Sequence, residues 1–164
     1  MVLLNTTSFS GVASQVIPTI FSATYENYKI VLTLTAASAD AGQDFKLRSG
    51  ATDSSASYYY GIQGLTDANG ANNMTNQNIS SGFRYGTSDA GFGDFTAAEF
   101  NLYKPFLAVR TIYSVIGHAL NTSGVRFGFS GGGFHDAATS YDSINLVPSA
   151  GTISGKVSVY GFNS

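Results

Sequence analysis

The side chains in this sequence with the means to do chemistry are two histidines, a scatter of single carboxylates and a run of three tyrosines. His118 sits among Ile116, Gly117 and Leu120; His135 follows Gly131-Gly132-Gly133-Phe134 and precedes Asp136. A histidine near a carboxylate can ligate a metal or move a proton. Neither histidine belongs to a spaced zinc motif such as H-E-x-x-H, so both are expected at loops or strand ends. Asp67-Ala-Asn-Gly70 and Asp89-Ala-Gly-Phe-Gly-Asp94 resemble fragments of oxygen-rich calcium loops, but neither supplies the bidentate Glu that closes one. They read as tight turns, in which Asp and Asn cap their own backbone. Glu26, Asp40, Asp44, Glu99 and Asp142 stand singly, whereas a glycosidase needs two carboxylates facing across a cleft. Gly131-Gly132-Gly133 is not followed by the Gly-Lys-Ser or Gly-Lys-Thr of a phosphate loop. No catalytic residue, metal ligand or cofactor site is expected, and the chain reads as a binding protein rather than an enzyme.

Tyr58-Tyr59-Tyr60 is the most suggestive group. On a strand, Tyr59 points opposite to Tyr58 and Tyr60, so one face goes to a core or partner and the other to solvent or ligand. Aromatic platforms hold sugar rings, and tyrosine is enriched at protein interfaces. With the nearby Asn69, Asn72, Asn73 and Asn76, these tyrosines form the expected ligand or partner surface. A second expected surface is an oligomer interface at Tyr160 or Phe162. One sandwich core cannot easily use both faces of every apolar strand, and monomers rarely expose large contiguous apolar patches.

The elements that must position these groups are strands. Helical periodicity is nearly absent; Thr96 to Leu102 is the best helical candidate, and its alternation of Ala98, Phe100 and Leu102 reads equally as a strand. Elsewhere the period is two. Val2–Phe9 and Gln15–Phe21 are candidate first strands, Pro18 suggesting an edge or bulge in the second. Tyr28, Ile30, Leu32 and Leu34 line one face of a long strand, with Lys29, Thr33, Thr35 and a partly covered Val31 on the other. Phe45 and Leu47 alternate with Asp44, Lys46 and Arg48, and Ser57–Ile62 forms another strand. Val109–Ile116 is apolar on both faces and expected to be central. Val125, Phe127 and Phe129 alternate with polar or small residues, Ile144 and Leu146 precede Pro148, and Ile153, Val157 and Val159 share one face of the last strand. Gly, Asn, Asp and Ser clusters between these segments are turn chemistry. The pattern predicts one all-β domain, an antiparallel β-sandwich of jelly-roll type spanning 1–164. A terminal arm (1–9) and a long exposed polar excursion (64–93) are expected to stand outside its rhythm.

Composition supports this class. Charged residues are 11% of 164, against about 25% in ordinary domains, but a hydrophobic fraction of 43% is enough to order a core. The net charge is −2 and the eight Lys and Arg are dispersed, so no basic cluster exists to release counterions from nucleic acid. Cysteine is absent, which removes disulfides and thiolate chemistry. Met1-Val-Leu-Leu-Asn-Thr-Thr lacks a signal peptide's basic start, and no apolar run is long enough for a membrane helix. A soluble product made in a cytoplasm, with no membrane partner, is expected.

Several segments then carry a likeness. Phe9-Ser-Gly, the run Phe21-Ser-Ala-Thr-Tyr25-Glu-Asn-Tyr28-Lys-Ile-Val-Leu, Leu47-Arg48-Ser-Gly before the tyrosine cluster, and the closing Val-Tyr-Gly-Phe162 resemble a module of tailed-bacteriophage virion proteins. That group includes capsid decoration (cement) proteins, head fibres and tail-fibre tips, commonly trimeric β-sandwiches. The resemblance implies a non-enzymatic virion surface protein, made in a host bacterial cytoplasm. Its partners would be further copies of itself and a major capsid protein or other virion protein. The sequence has no coiled-coil, collagen or β-helix repeat of a fibre shaft, so the expectation is a decoration protein seated directly on a phage head. The alternative is a fibre-tip domain binding a host surface glycan through Tyr58, Tyr59 or Tyr60 and the Asn-rich segment.

Overall fold

Period-two alternation is realised in the computed structural model as two antiparallel sheets; the structure describes residues 1–66, 72–88, 96–120 and 125–163. The strands are β1 (Val2–Val12), β2 (Gln15–Ile17), β3 (Asn27–Ala37), β4 (Ala41–Ser49), β5 (Thr52–Asp53), β6 (Tyr58–Thr66), β7 (Asn72–Ser80), β8 (Phe83–Ser88), β9 (Ala97–Tyr103), β10 (Thr111–Leu120), β11 (Arg126–His135), β12 (Ser143–Pro148) and β13 (Ile153–Phe162). One sheet has eight strands in the order β1-β13-β3-β9-β10-β11-β6-β7. In the other, β2, β12 and β4 are neighbours, and the far edge of β4 pairs with both β5 and β8.

The order β1-β13-β3-β9 over β2-β12-β4-β8 is that of a jelly roll, because each of the steps β1 to β2, β3 to β4, β8 to β9 and β12 to β13 crosses between the sheets. Two hairpins are added to it. β6-β7, between β4 and β8 in the chain, and β10-β11, between β9 and β12, both extend the larger sheet.

The core lies where the inner faces meet. Tyr28, Ile30, Leu32 and Leu34 of β3, Phe100 and Leu102 of β9, and Val157 and Val159 of β13 are all buried. They face Phe45 and Leu47 of β4 and Ile144 and Leu146 of β12, also buried. Phe45 joins the sheets: its ring stacks on Phe100 at 4.6 Å and meets the edge of Tyr113 at 6.0 Å, with Phe83 at 5.3 Å beside it. The Gly131-Gly132-Gly133 run has a packing cause. A Cβ at Gly133 would stand 2.0 Å from the Tyr59 carbonyl oxygen, and one at Gly131 would stand 2.3 Å from that of Gly61. Only glycine lets β11 and β6 approach this closely.

Two expectations need correction, and one open alternative is decided. The segment 1–9 is not a free arm: β1 pairs with β13 from Val2↔Gly161 to Val12↔Ile153. Most of 64–93 is sheet rather than an exposed excursion. β7 pairs with β6, and β8 returns to β4 with Phe83 and Tyr85 fully buried on either side of Arg84. Asn, Ser and Gly hid these strands because backbone pairing, not side-chain alternation, defines them. Thr96–Leu102 resolves as a strand, since β9 sits between β3 and β10, where only extended backbone satisfies both neighbours.

Candidate interaction surface

The tyrosine run splits as alternation requires. Tyr58 and Tyr60 are buried in the core, and burial pushes the Tyr58 phenol pKa far up, so it stays neutral. The Tyr58 hydroxyl accepts from the Leu47 N–H at 2.9 Å and donates to the Ser54 carbonyl at 3.2 Å, binding β6 to the opposite sheet. Tyr59 alone turns outward, where it is half-buried against Phe134 of β11, ring centroids 5.0 Å apart and 17° from parallel. From the β10 side the Arg110 guanidinium lies 4.7 Å from the Phe134 centroid, and its Nε and Nη2 both donate to Asp136 Oδ1. Phe134 is thus flanked by Tyr59 and Arg110, which leaves Tyr59 the more available aromatic face.

His135 is 1% exposed and stacks on Tyr58 at 4.3 Å, 5° from parallel. Its Nδ1 lies 3.0 Å from the Ser57 carbonyl, which can only accept, so Nδ1 carries the proton of the neutral ring. Nε2 is then the acceptor for the hydroxyls of Tyr141 at 2.6 Å and Ser54 at 2.9 Å. Burial holds its pKa below the usual histidine range. A hydroxyl on a histidine nitrogen is the first contact of a nucleophile–base pair, but this imidazole is sealed beneath Tyr58 and Tyr141. What the arrangement does is tie together the loop before β6, the end of β11 and the loop before β12. His118, by contrast, is exposed on the outer face in register with Ala97 and Gly128.

Gly128-Phe129-Ser130-Gly131-Gly132 has the G-x-S-x-G spacing of a nucleophile elbow, but it lies within straight β11 rather than at a strand-to-helix turn. Ser130 is in register with Ile116 and Gln63, not with either histidine. Among the described residues no group of three His, Cys, Asp or Glu is placed to hold a metal. The candidate calcium segments 67–70 and 89–94, and with them Asn69, lie outside the described residues. Asn72, Asn73 and Asn76 are on β7, in backbone register with Leu65, Gly64 and Gly61. β7 pairs with β6, the strand of Tyr59.

The outer faces of the two sheets differ in chemistry. That of the smaller sheet carries Lys46 and the ion pairs Arg48–Asp53 and Arg84–Asp44, as a solvated face does. The larger sheet's outer face carries Val31 (37% exposed), Leu65 (58%), Tyr103 (36%), Ile112 (50%) and Ile116 (60%). Register aligns Phe162, Asn27, Tyr103, Ile112, Phe134 and Tyr59 in one row straight across six strands. Tyr160 lies one row up, between Leu3 and Lys29. Tyr160 and Phe162 are both half-buried and share this face. Ile116 stands as a ridge between two shallow grooves of about 370 and 360 Å³, one running to Leu65 over Gly128 and Ser130, the other to Val31 over Ala97.

Sequence reading found β10 and its two-sided apolarity, and β10 is indeed interior to the larger sheet. Phe134 and Arg110 were not among the expected surface residues. The signal for Phe134 was present in the alternation of β11, but its partner Tyr59 depends on a pairing across more than seventy residues. No family model, characterised protein or solved structure matches the chain.

Proposed function

We propose that this chain is a non-enzymatic virion structural protein, a capsid decoration protein that binds the outside of a phage head and stabilises it as a homo-oligomer, by the resemblance a trimer. The observation that carries the reading is the contrast between the two outer faces: among the described residues one exposes no large apolar side chain, while the other exposes Val31, Leu65, Tyr103, Ile112 and Ile116. A sandwich of this kind is suited to being held in an assembly rather than to turning over a substrate. The resemblance supports it from another side, because its segments form physical units. Tyr25 lies on Gly161, where a Cβ would come within 2.5 Å of the ring. The Tyr28 hydroxyl accepts from Ser22 N–H at 2.7 Å and faces the Ser22 and Tyr25 carbonyls at 2.9 and 3.1 Å. The Leu47 segment reaches the tyrosine cluster through the Leu47–Tyr58 hydrogen bond. These contacts fix a jelly-roll corner.

By mass action a protein that binds only the assembled shell stabilises that state. Heads stripped of the protein are expected to release their contents at lower temperature than decorated heads, and re-addition restores them; equal stability sinks the reading. A glycan-binding fibre tip has one observation in its favour, the outward Tyr59 on the strand that pairs with the Asn-rich β7. Glycan binding that vanishes in Tyr59→Ala, with the fold intact, would establish that reading instead.

A further inference from the structure

We infer that the outer face of the eight-stranded sheet is the surface on which a second copy of this chain packs. The inference rests on the proposed function only in taking the chain as part of an assembly.

Four observations commit the face to a copy of itself. The first is area. Eight strands at about 4.8 Å spacing, in register over the seven residues Asn27–Thr33 of β3, make a face of roughly 900 Å². A standard stable interface needs about 800 Å² from each partner. The second is charge. Near the middle of the face the charged residues are Lys29 and Glu99, and they pair with each other. A partner that covers them need not supply a counter-charge, and the apolar part of the face is complementary to another like it. Lys156 and His118 lie in the row nearest the opposite end of the strands from the aromatic row, Arg126 is exposed beyond them at the start of β11, and Arg110, beside the aromatic row, pairs with Asp136.

The third observation is relief. The Ile116 ridge and its two flanking grooves are a surface into which the same surface can interlock, with the isoleucine of one copy entering a groove of the other. Gly128, Ser130 and Ala97 keep the groove floors low. The fourth is restriction to one side: among the described residues the other sheet's strands expose no large apolar side chain, and its outer face carries Lys46 and two ion pairs. A monomer has no reason to treat its two sides differently in this way.

The test is the mass of the intact chain in solution by light scattering at micromolar concentration. The wild-type protein is expected at a multiple of 17.2 kDa. Ile116→Lys, at an exposed position that the fold does not need, is expected to weaken self-association about 100-fold, the loss of one buried isoleucine, and to yield the single-chain mass. Ile112→Lys should act in the same direction, while Lys46→Glu on the opposite face leaves the mass unchanged. Unaltered far-ultraviolet circular dichroism confirms that each variant is folded. A wild-type monomer, or an oligomer that both isoleucine variants leave intact, overturns the inference. A monomer that still stabilises heads would overturn it alone, whereas an oligomer that stabilises none would overturn the decoration reading alone.

Discussion

Phe45→Ala is the substitution that most severely tests how the sandwich is held together. Phe45 is fully buried and belongs to the smaller sheet, yet its ring stacks on Phe100 at 4.6 Å and meets Tyr113 at 6.0 Å, both from the larger sheet. Truncation therefore removes a transfer contribution and leaves a cavity between the layers, which together cost about 3–5 kcal/mol for a buried phenylalanine. Loss of the Phe100 and Phe83 ring pairs lies within that figure or slightly above it, at about 0.5–1.5 kcal/mol per pair. A domain of ordinary stability has about 5–15 kcal/mol in total, so the variant should remain folded only at reduced temperature. At about 2–4 °C per kcal/mol for a chain of this size, the melting temperature should fall by roughly 10–15 °C. Urea unfolding followed by circular dichroism and by tyrosine fluorescence would measure both the loss and its cooperativity. Phe45→Leu, which keeps most of the volume, should cost less than half as much. A loss under about 1 kcal/mol in Phe45→Ala would mean that the two sheets do not depend on this ring, and the account of the core would fail.

Two further outcomes follow from the buried cluster and the glycine run. Because burial lowers the His135 pKa in the folded state, folding favours the neutral imidazole; stability is complete above the unfolded value of about 6.5 and declines as pH falls below it toward the lower folded value. Unfolding free energy measured from pH 7.5 downward should show this decline in the wild type and lose that component in His135→Gln, and a wild-type profile flat through the window would contradict the assignment. Gly133→Ala places a methyl against the Tyr59 carbonyl of the neighbouring strand, backbone that cannot move aside without breaking the β6–β11 ladder. It should destabilise by at least about 1–3 kcal/mol, whereas Gly128→Ala, whose Cβ would approach nothing closer than 4.0 Å, should be nearly neutral in the same thermal melt.

The fold was legible wherever one face of a strand is apolar and the other polar: Tyr28 to Leu34, Asp44 to Arg48 and Ile153 to Val159 all declared their inner faces. It was illegible where pairing is carried by backbone alone. β7, Asn-Asn-Met-Thr-Asn-Gln-Asn-Ile-Ser, has no alternation to read. In β8 the alternation lasts three residues before Gly86, whose φ of 158° accompanies a register shift against β4. The surface was legible in part. That Tyr59 must oppose Tyr58 and Tyr60 follows from the pleat, and the structure places it outward. Ile112 and Ile116 belong to a second apolar face that one core could not also use, and the structure leaves both exposed, but sequence reports apolarity and not what lies above it. The Phe134–Arg110–Asp136 arrangement depended on the joining of β6, β11 and β10, which only long-range register decides.

The role proposed for this jelly roll is to bind and strengthen a phage head. Its most direct measurement is the temperature at which purified heads open, followed by the release of packaged DNA, for heads carrying the protein, heads stripped of it and stripped heads to which it has been returned. The account predicts that stripped heads open at lower temperature and that the returned protein raises the transition to that of the decorated particles. Identical transitions in all three, with the protein demonstrably bound where it was added, would contradict it.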